Sequence, residues 1–257
     1  MIRNLLIITF VGLGLAVVGI GGAMAVGGND LARGDWTWVV SDEPGDSGFR
    51  IERGAASPDV TRTVEWKGSE ALAIDLPGEV TYTQGSQPSI VVTGPQAIVD
   101  RVRLVDGRLA LEPSSKGERS FIRWSRTSVH GWSESDALRV AITAPSVRAF
   151  DLTGESELTV RHYDQPELKL VMSGSSYAEV QGKARSVDMD LSGSSRAELD
   201  ALVVTDAHIR ASGYGQAKVG PTGVASVDVS GGAEVDLTRQ PGELRQSISG
   251  DAEVNQD

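Results

Sequence analysis

Six charged or titratable side chains recur at two offsets in the second half of this 257-residue chain. Asp151, Asp188, Asp190, His208, Arg210 and Asp228 each stand two or four residues before a Ser/Thr-Gly pair. If those pairs stack, the six side chains form a column. Paired carboxylates on such a face are the groups that cleave glycosidic bonds by acid and base. The plainer reading is a solvated face whose charges neutralise one another, since Arg210 stands among the acids. Sugar-processing grooves also use aromatic platforms. From Ser146 onward the aromatic residues are Phe150, Tyr163, Tyr177 and Tyr214, and Phe150 falls on the opposite parity. Other chemistry is sparse. His130, His162 and His208 lack metal-ligand spacing. Gly193-Ser-Ser-Arg lacks the second glycine of a nucleophile elbow, and no P-loop lysine follows Gly231-Gly232. We therefore expect no catalytic residue, no metal site and no cofactor.

A second group of residues points to binding. Between Lys116 and Trp132 the chain carries Lys116, Arg119, Arg123 and Arg126 against Glu118 alone, a local charge of +3 from four cations and one anion. Phe121, Trp124 and Trp132 lie among them. Arginines bond phosphate or carboxylate groups, and tryptophans bury at interfaces. The segment reads as an inserted loop over residues 112–137. Its reach over residues 114–135 suits an anionic envelope surface or an acidic glycan. The competing reading is a plain connection, because loops tolerate variation.

The scaffold for both groups is a phrase written six times. Leu152-Thr-Gly-Glu-Ser, Met172-Ser-Gly-Ser-Ser, Leu191-Ser-Gly-Ser-Ser, Ala211-Ser-Gly-Tyr-Gly, Val229-Ser-Gly-Gly-Ala and Ile248-Ser-Gly-Asp-Ala repeat at intervals of 18 to 20 residues. A constant period in this range marks a stacked repeat. Before each Ser/Thr-Gly the residues alternate, as in Val187, Met189 and Leu191 against Asp188 and Asp190. Period two is a strand with one face buried. The pattern predicts an all-β fold, a parallel β-solenoid with coils of about 18–20 residues. Gly154, Gly174, Gly193, Gly213, Gly231 and Gly250 are the expected corner residues, where a side chain would obstruct the backbone.

The repeats are regular over residues 146–257. A degenerate form begins at Ala71, where Leu72, Ile74 and Leu76 alternate with Ala73 and Asp75, and continues to residue 111. Asp106-Gly107 between two apolar runs is a hairpin or corner signal. These atypical coils would cap the stack. Residues 26–70 read as a spacer with edge strands at Trp36-Thr-Trp38-Val-Val40 and Val60-Thr-Arg-Thr-Val64.

At the start, Arg3 precedes the apolar run Leu5 to Ile20 and then Ala23-Met24-Ala25. That is the arrangement of a signal peptide over residues 1–25. The alternative is an uncleaved anchor through residues 5–26, a length that can span a bilayer. Either way the chain is expected to be exported, to the periplasm or the cell surface. It has no cysteine. Cleavage would remove Arg3 and move the net charge from −11 to −12. So acidic a chain is a poor general binder of nucleic acid.

The signal segment, the Leu-Pro-Gly line at 76–78, the Val-Thr-Gly line at 92–94 and the Leu/Met-Ser-Gly-Ser lines together resemble the bacterial family of auto-transporter adhesin head GIN domains. The resemblance covers roughly residues 70–257. It implies a right-handed β-helix of the cell envelope and offers no catalytic residues. A self-sufficient auto-transporter also needs a membrane barrel, and the solenoid leaves too little chain for one. The expected function is a non-enzymatic binding or structural module, adhesin-head-like, of the bacterial envelope. The alternative is a polysaccharide lyase or hydrolase using the acidic column. The sequence does not set an oligomeric state.

Overall fold

Alternating apolar and polar residues make this chain nearly all strand. The computed structural model describes residues 35–42, 49–53, 57–114, 119–125 and 129–256. The chain divides into two units, one of residues 1–56 with 115–133 and one of residues 57–114 with 134–257.

The smaller unit is a four-stranded antiparallel sheet. Its strands are β1 (Asp35–Asp42), β2 (Phe49–Arg53), β9 (Arg119–Ser125) and β10 (Val129–Ser133), in the order β10-β9-β1-β2. This corrects the reading of residues 112–137 as an inserted loop. Arg119 to Ser125 alternates Phe121 and Arg123 with Ile122 and Trp124, and its partner β1 lies about 80 residues upstream. That partner belongs to the stretch that reads as a spacer in the sequence. Local periodicity reports a strand's pleat and says nothing of so distant a neighbour.

The larger unit is a β-solenoid of about five turns. Its coils stack in parallel through β13 (Ser156–Met172), β14 (Tyr177–Leu191) and β15 (Arg196–Ala211). β15 passes the ladder to β16 (Gln216–Pro221) and β17 (Val224–Gly231). These lead on to β18 (Glu234–Leu237), β19 (Glu243–Gly250) and β20 (Glu253–Gln256). Register carries each inward residue onto the next, so Leu170, Met189, Ile209 and Val227 form one buried column. Each such side chain contributes about 1.5–3 kcal/mol by leaving water.

At the N-terminal end the pattern is mixed. β4 (Ala71–Asp75) lies parallel to β12 (Ala149–Leu152), and β5 (Gly78–Gln84) lies parallel to β13 and β11 (Arg139–Ala144). From Ser89 on, however, the degenerate stretch is not coil. β6 (Ser89–Pro95) runs antiparallel to β11 and to β3 (Asp59–Val64). β7 (Val102–Val105) and β8 (Arg108–Leu111) form an antiparallel hairpin turned at Asp106-Gly107, both with positive φ. With the short helix α1 (Gln96–Val99), these elements close that end of the core around Ile98, Val99 and Val102. Tyr82 crosses the core edge-on to Phe150, with ring centres 5.3 Å apart, and its hydroxyl donates to the Ala144 carbonyl at 2.8 Å.

The corners explain the glycines. Gly154, Gly174, Gly193, Gly213, Gly231 and Gly250 hold φ between +72° and +79°. From Gly174 on, the residue after each glycine donates its N–H to the carbonyl of the glycine one coil before, as in Ser194 to Gly174 at 2.7 Å and Tyr214 to Gly193 at 2.7 Å. A Cβ on Gly193 would stand 2.6 Å from the Gly174 oxygen. The corner also buries Ser156, Ser176 and Ser195, two residues past the glycine. Ser195 donates to the Ser192 carbonyl at 3.0 Å. Gly193→Ala should therefore cost about 1–2 kcal/mol for the left-handed backbone alone, and more for the contact. Ser194→Ala, one exposed position on, should shift a thermal melt by little.

Candidate functional site

Register decides what the charged solenoid face can do. Asp188 stands beside His208 and then Ser226, while Asp190 stands beside Arg210 and then Asp228. The column is thus two rows. Arg210 sits between the acids, with Nη2 3.4 Å from Asp188 Oδ1 and Nε 3.5 Å from Asp190 Oδ2. Its Nη1 also lies 2.6 Å from His208 Nε2. Asp151 faces Arg108 at 3.6 Å. Each of these three carboxylates thus has a guanidinium partner on the scaffold, in a half-exposed pair. Asp188 and His208 line an open groove of about 660 Å³ together with apolar residues such as Leu168, Val187 and Val224, and no Phe, Tyr or Trp lines it.

Tyr163 and Tyr177 are held in their protonated form. Burial pushes the Tyr177 hydroxyl up to about 12, helped by its 2.9 Å hydrogen bond to Glu198 and the carboxylates around it. Burial likewise raises Tyr163, whose hydroxyl donates to the Glu167 carbonyl at 2.6 Å. Among the described residues, no group of three or more His, Asp or Glu could hold a metal ion.

The basic aromatic segment is built differently from its sequence expectation. Strand pleating places Arg119, Phe121 and Arg123 on one face of β9, with Trp132 opposite Phe121 and His130 opposite Arg123 on β10. Ile122 belongs to the other face, and the backbone register of β1 on β9 pairs Trp36 with Trp124 and Trp38 with Ile122. Of the residues named from sequence, Arg119, Phe121 and Arg123 thus share one face of β9. Phe121 is fully buried, so it supports and does not touch a partner. The Trp132 ring stacks on it at 5.5 Å, and His130 stacks on Trp132 at 5.5 Å. The Arg119 guanidinium lies over the Phe121 ring at 5.4 Å. Lys116 and Arg126 lie outside the described residues.

Sequence reasoning also missed Glu134. It is 2 % exposed, and its carboxylate accepts the Ser57 N–H at 2.9 Å. Nothing in the local pattern marks a lone Glu as buried, because its partner is 77 residues away. Among the described residues, no helix is long and apolar enough to cross a membrane.

Known proteins share this architecture. A putative adhesin of Bacteroides fragilis matches at 16 % identity and a TM-score of 0.59, over 78 % of this chain and 97 % of its own. A putative adhesin of Parabacteroides distasonis matches at 15 % identity and a TM-score of 0.49, over 78 % of this chain and 98 % of its own. A protein of the same species described as a putative lipid binding protein matches at 14 % and 0.41, over 77 % and 96 %. At these identities the likeness concerns the fold, and only the first has a TM-score above 0.5. No curated protein matches the chain. The family described as "Putative auto-transporter adhesin, head GIN domain" matches residues 70–241, from β4 through β18. The chain belongs to that family.

Proposed function

We propose that this protein is an exported, non-enzymatic binding and structural module of the bacterial envelope, whose contact element is the four-stranded sheet that contains residues 119–133. The observation that carries this reading is the stacking of Arg119, Phe121, Trp132 and His130 on one face of that sheet. Buried Phe121 fixes the aromatic and cationic groups around it, so they meet a partner already ordered. The local charge of +3 on a chain of −11 draws an anionic partner to this sheet and away from the rest of the molecule. The partner chemistry is a dense array of phosphate or carboxylate groups, as in lipid head groups or an acidic wall polymer. The apolar segment before Asp35 fits delivery to the periplasm or the cell surface.

Mature protein starting after Ala25 should bind vesicles of anionic lipid, or an acidic polysaccharide in the second arm, more tightly than neutral vesicles at low salt. Exposed charges act over about 8 Å at physiological salt, so binding should weaken steeply as salt rises. Each basic residue near an anionic membrane contributes about 1 kcal/mol, so changing Lys116, Arg119, Arg123 and Arg126 to Ser should weaken low-salt binding roughly a hundredfold or more. Changing Trp124 and Trp132 to Ser should lower the part that persists in high salt. Equal binding to neutral and anionic surfaces, or unchanged binding by the four-Ser variant, would remove the proposal.

A further inference from the structure

The two ends of the solenoid differ. At the N-terminal end the β7–β8 hairpin, β3 and α1 close the core. At the other end, among the described residues, β19 pairs only with β17 and β20 only with β18. Glu243 donates its N–H back to Gly223 at 3.0 Å. In a parallel ladder alternate residues bond to alternate sides. The N–H and C=O groups of Leu244, Gln246 and Ile248 therefore point off the end, unpaired by any strand among the described residues. Such edges are ordinarily blunted by Pro, a bulge or an inward-pointing charge. Residues 243–250 hold no Pro, pair with β17 without a register break, and carry no charge at the core-facing positions. Those positions hold Leu244, Gln246 and Ile248, below Ala225, Val227 and Val229. Ile248 is 45 % exposed, whereas Val229 is fully buried.

The arrangement is self-complementary. If β19 met a second β19 running the opposite way about Gln246, Gln246 would face its own copy. Leu244 would face Ile248 of that copy, and Ile248 would face its Leu244. All three positions point their backbone groups at the free edge, so each would form the doubly hydrogen-bonded pair of an antiparallel ladder. On the outer face Arg245 would stand opposite a Ser247 and Glu243 opposite a Ser249, so no like charges meet. The two glutamine amides can bond each other across the axis, which gives a polar group at an otherwise aliphatic position a partner. Centring instead on Leu244 or Ile248 leaves the other apolar residue uncovered. We propose that the last coil is an association surface for a second copy of this chain, which pairs β19 to β19 about a two-fold axis at Gln246.

This inference does not depend on the anionic-surface reading. The absence of cysteine gives it a direct test in the full chain, produced and exported by a host. Gln246→Cys installs a single thiol. Residues that form a hydrogen-bonded antiparallel pair stand with Cα atoms about 5.5 Å apart, within the span of a disulfide. Val203→Cys, on an exposed flank of the solenoid, is the control for random collision. Disulfide-linked dimer should form for Gln246→Cys under oxidising conditions and be absent or minor for Val203→Cys. Adding Ile248→Lys to the first variant removes an apolar contact and sets a charge opposite Leu244 of the copy, and should cut the dimer yield about tenfold or more. The melting curve of Ile248→Lys should match the parent's, since the side chain is exposed in the single copy. A Gln246→Cys chain that stays monomeric overturns the proposal. So does equal cross-linking at both positions, or cross-linking indifferent to Ile248→Lys with an unchanged melt.

Discussion

Leu191→Asp should abolish the cooperative thermal transition of the solenoid. Leu191 is fully buried, with Met172 beside it on one coil and Ala211 on the next. An aspartate there meets only apolar neighbours in the column. An unpaired carboxylate in such a place costs several kcal/mol even after relaxation. A domain holds on the order of 5–15 kcal/mol in total. The damage should shrink as pH falls, because burial raises the introduced carboxyl's pKa and the neutral acid is cheaper to bury. Stability lost through a raised pKa is regained as pH drops below it. One residue away the outcome should be opposite. Asp190 points outward, and its link to Arg210 at 3.5 Å is half-exposed. Pairs of that kind contribute about 0–1 kcal/mol. Asp190→Ser should melt near the parent, and circular dichroism of the two variants side by side measures the contrast.

That contrast is legible in the sequence, because period-two alternation sets inward Leu191 against outward Asp190. The corner glycines are legible too. Their recurrence announces a constraint, and the structure supplies its cause in a left-handed backbone stacked carbonyl to amide on the coil below. What the sequence hides is whatever depends on a partner far along the chain. Phe121 resembles a contact residue because it sits among arginines, yet it is buried under Trp132. Trp36 and Trp124 become register partners only through the pairing of β1 with β9. The charged column is a single line in the repeat pattern, but the register splits it, with Arg210 tied to both Asp188 and Asp190. The antiparallel cap is hidden for a related reason. Alternation is the same in parallel and antiparallel strands, so β6 and its neighbours resemble worn coils.

The solenoid is a stack of register-locked coils, each dependent only on its neighbours. In such a stack stability is close to a sum over coils and their interfaces, so one interior coil can be removed whole. Met189 and Ile209 occupy equivalent places, as do Asp190 and Arg210. Deleting residues 190–209 joins Met189 to Arg210. Arg210 then takes Asp190's place beside Val171, Ala211 takes Leu191's place beside Met172, and Gly213 falls on Gly174. Deleting residues 190–208 removes one residue fewer and joins Met189 to Ile209, so two inward positions follow each other. A one-residue slip turns every later side chain to the wrong face. The breaks in register that this stack does contain fall elsewhere, at Val160/Tyr163, Glu179/Gly182 and Leu199/Val204. The decisive measurement is a far-ultraviolet circular dichroism melt of both deletions beside the parent. Register-locked stacking requires a single sharp transition, moderately lowered, for the 190–209 deletion and none for the 190–208 deletion. A 190–209 deletion that is unfolded while the 190–208 deletion melts cooperatively would contradict it.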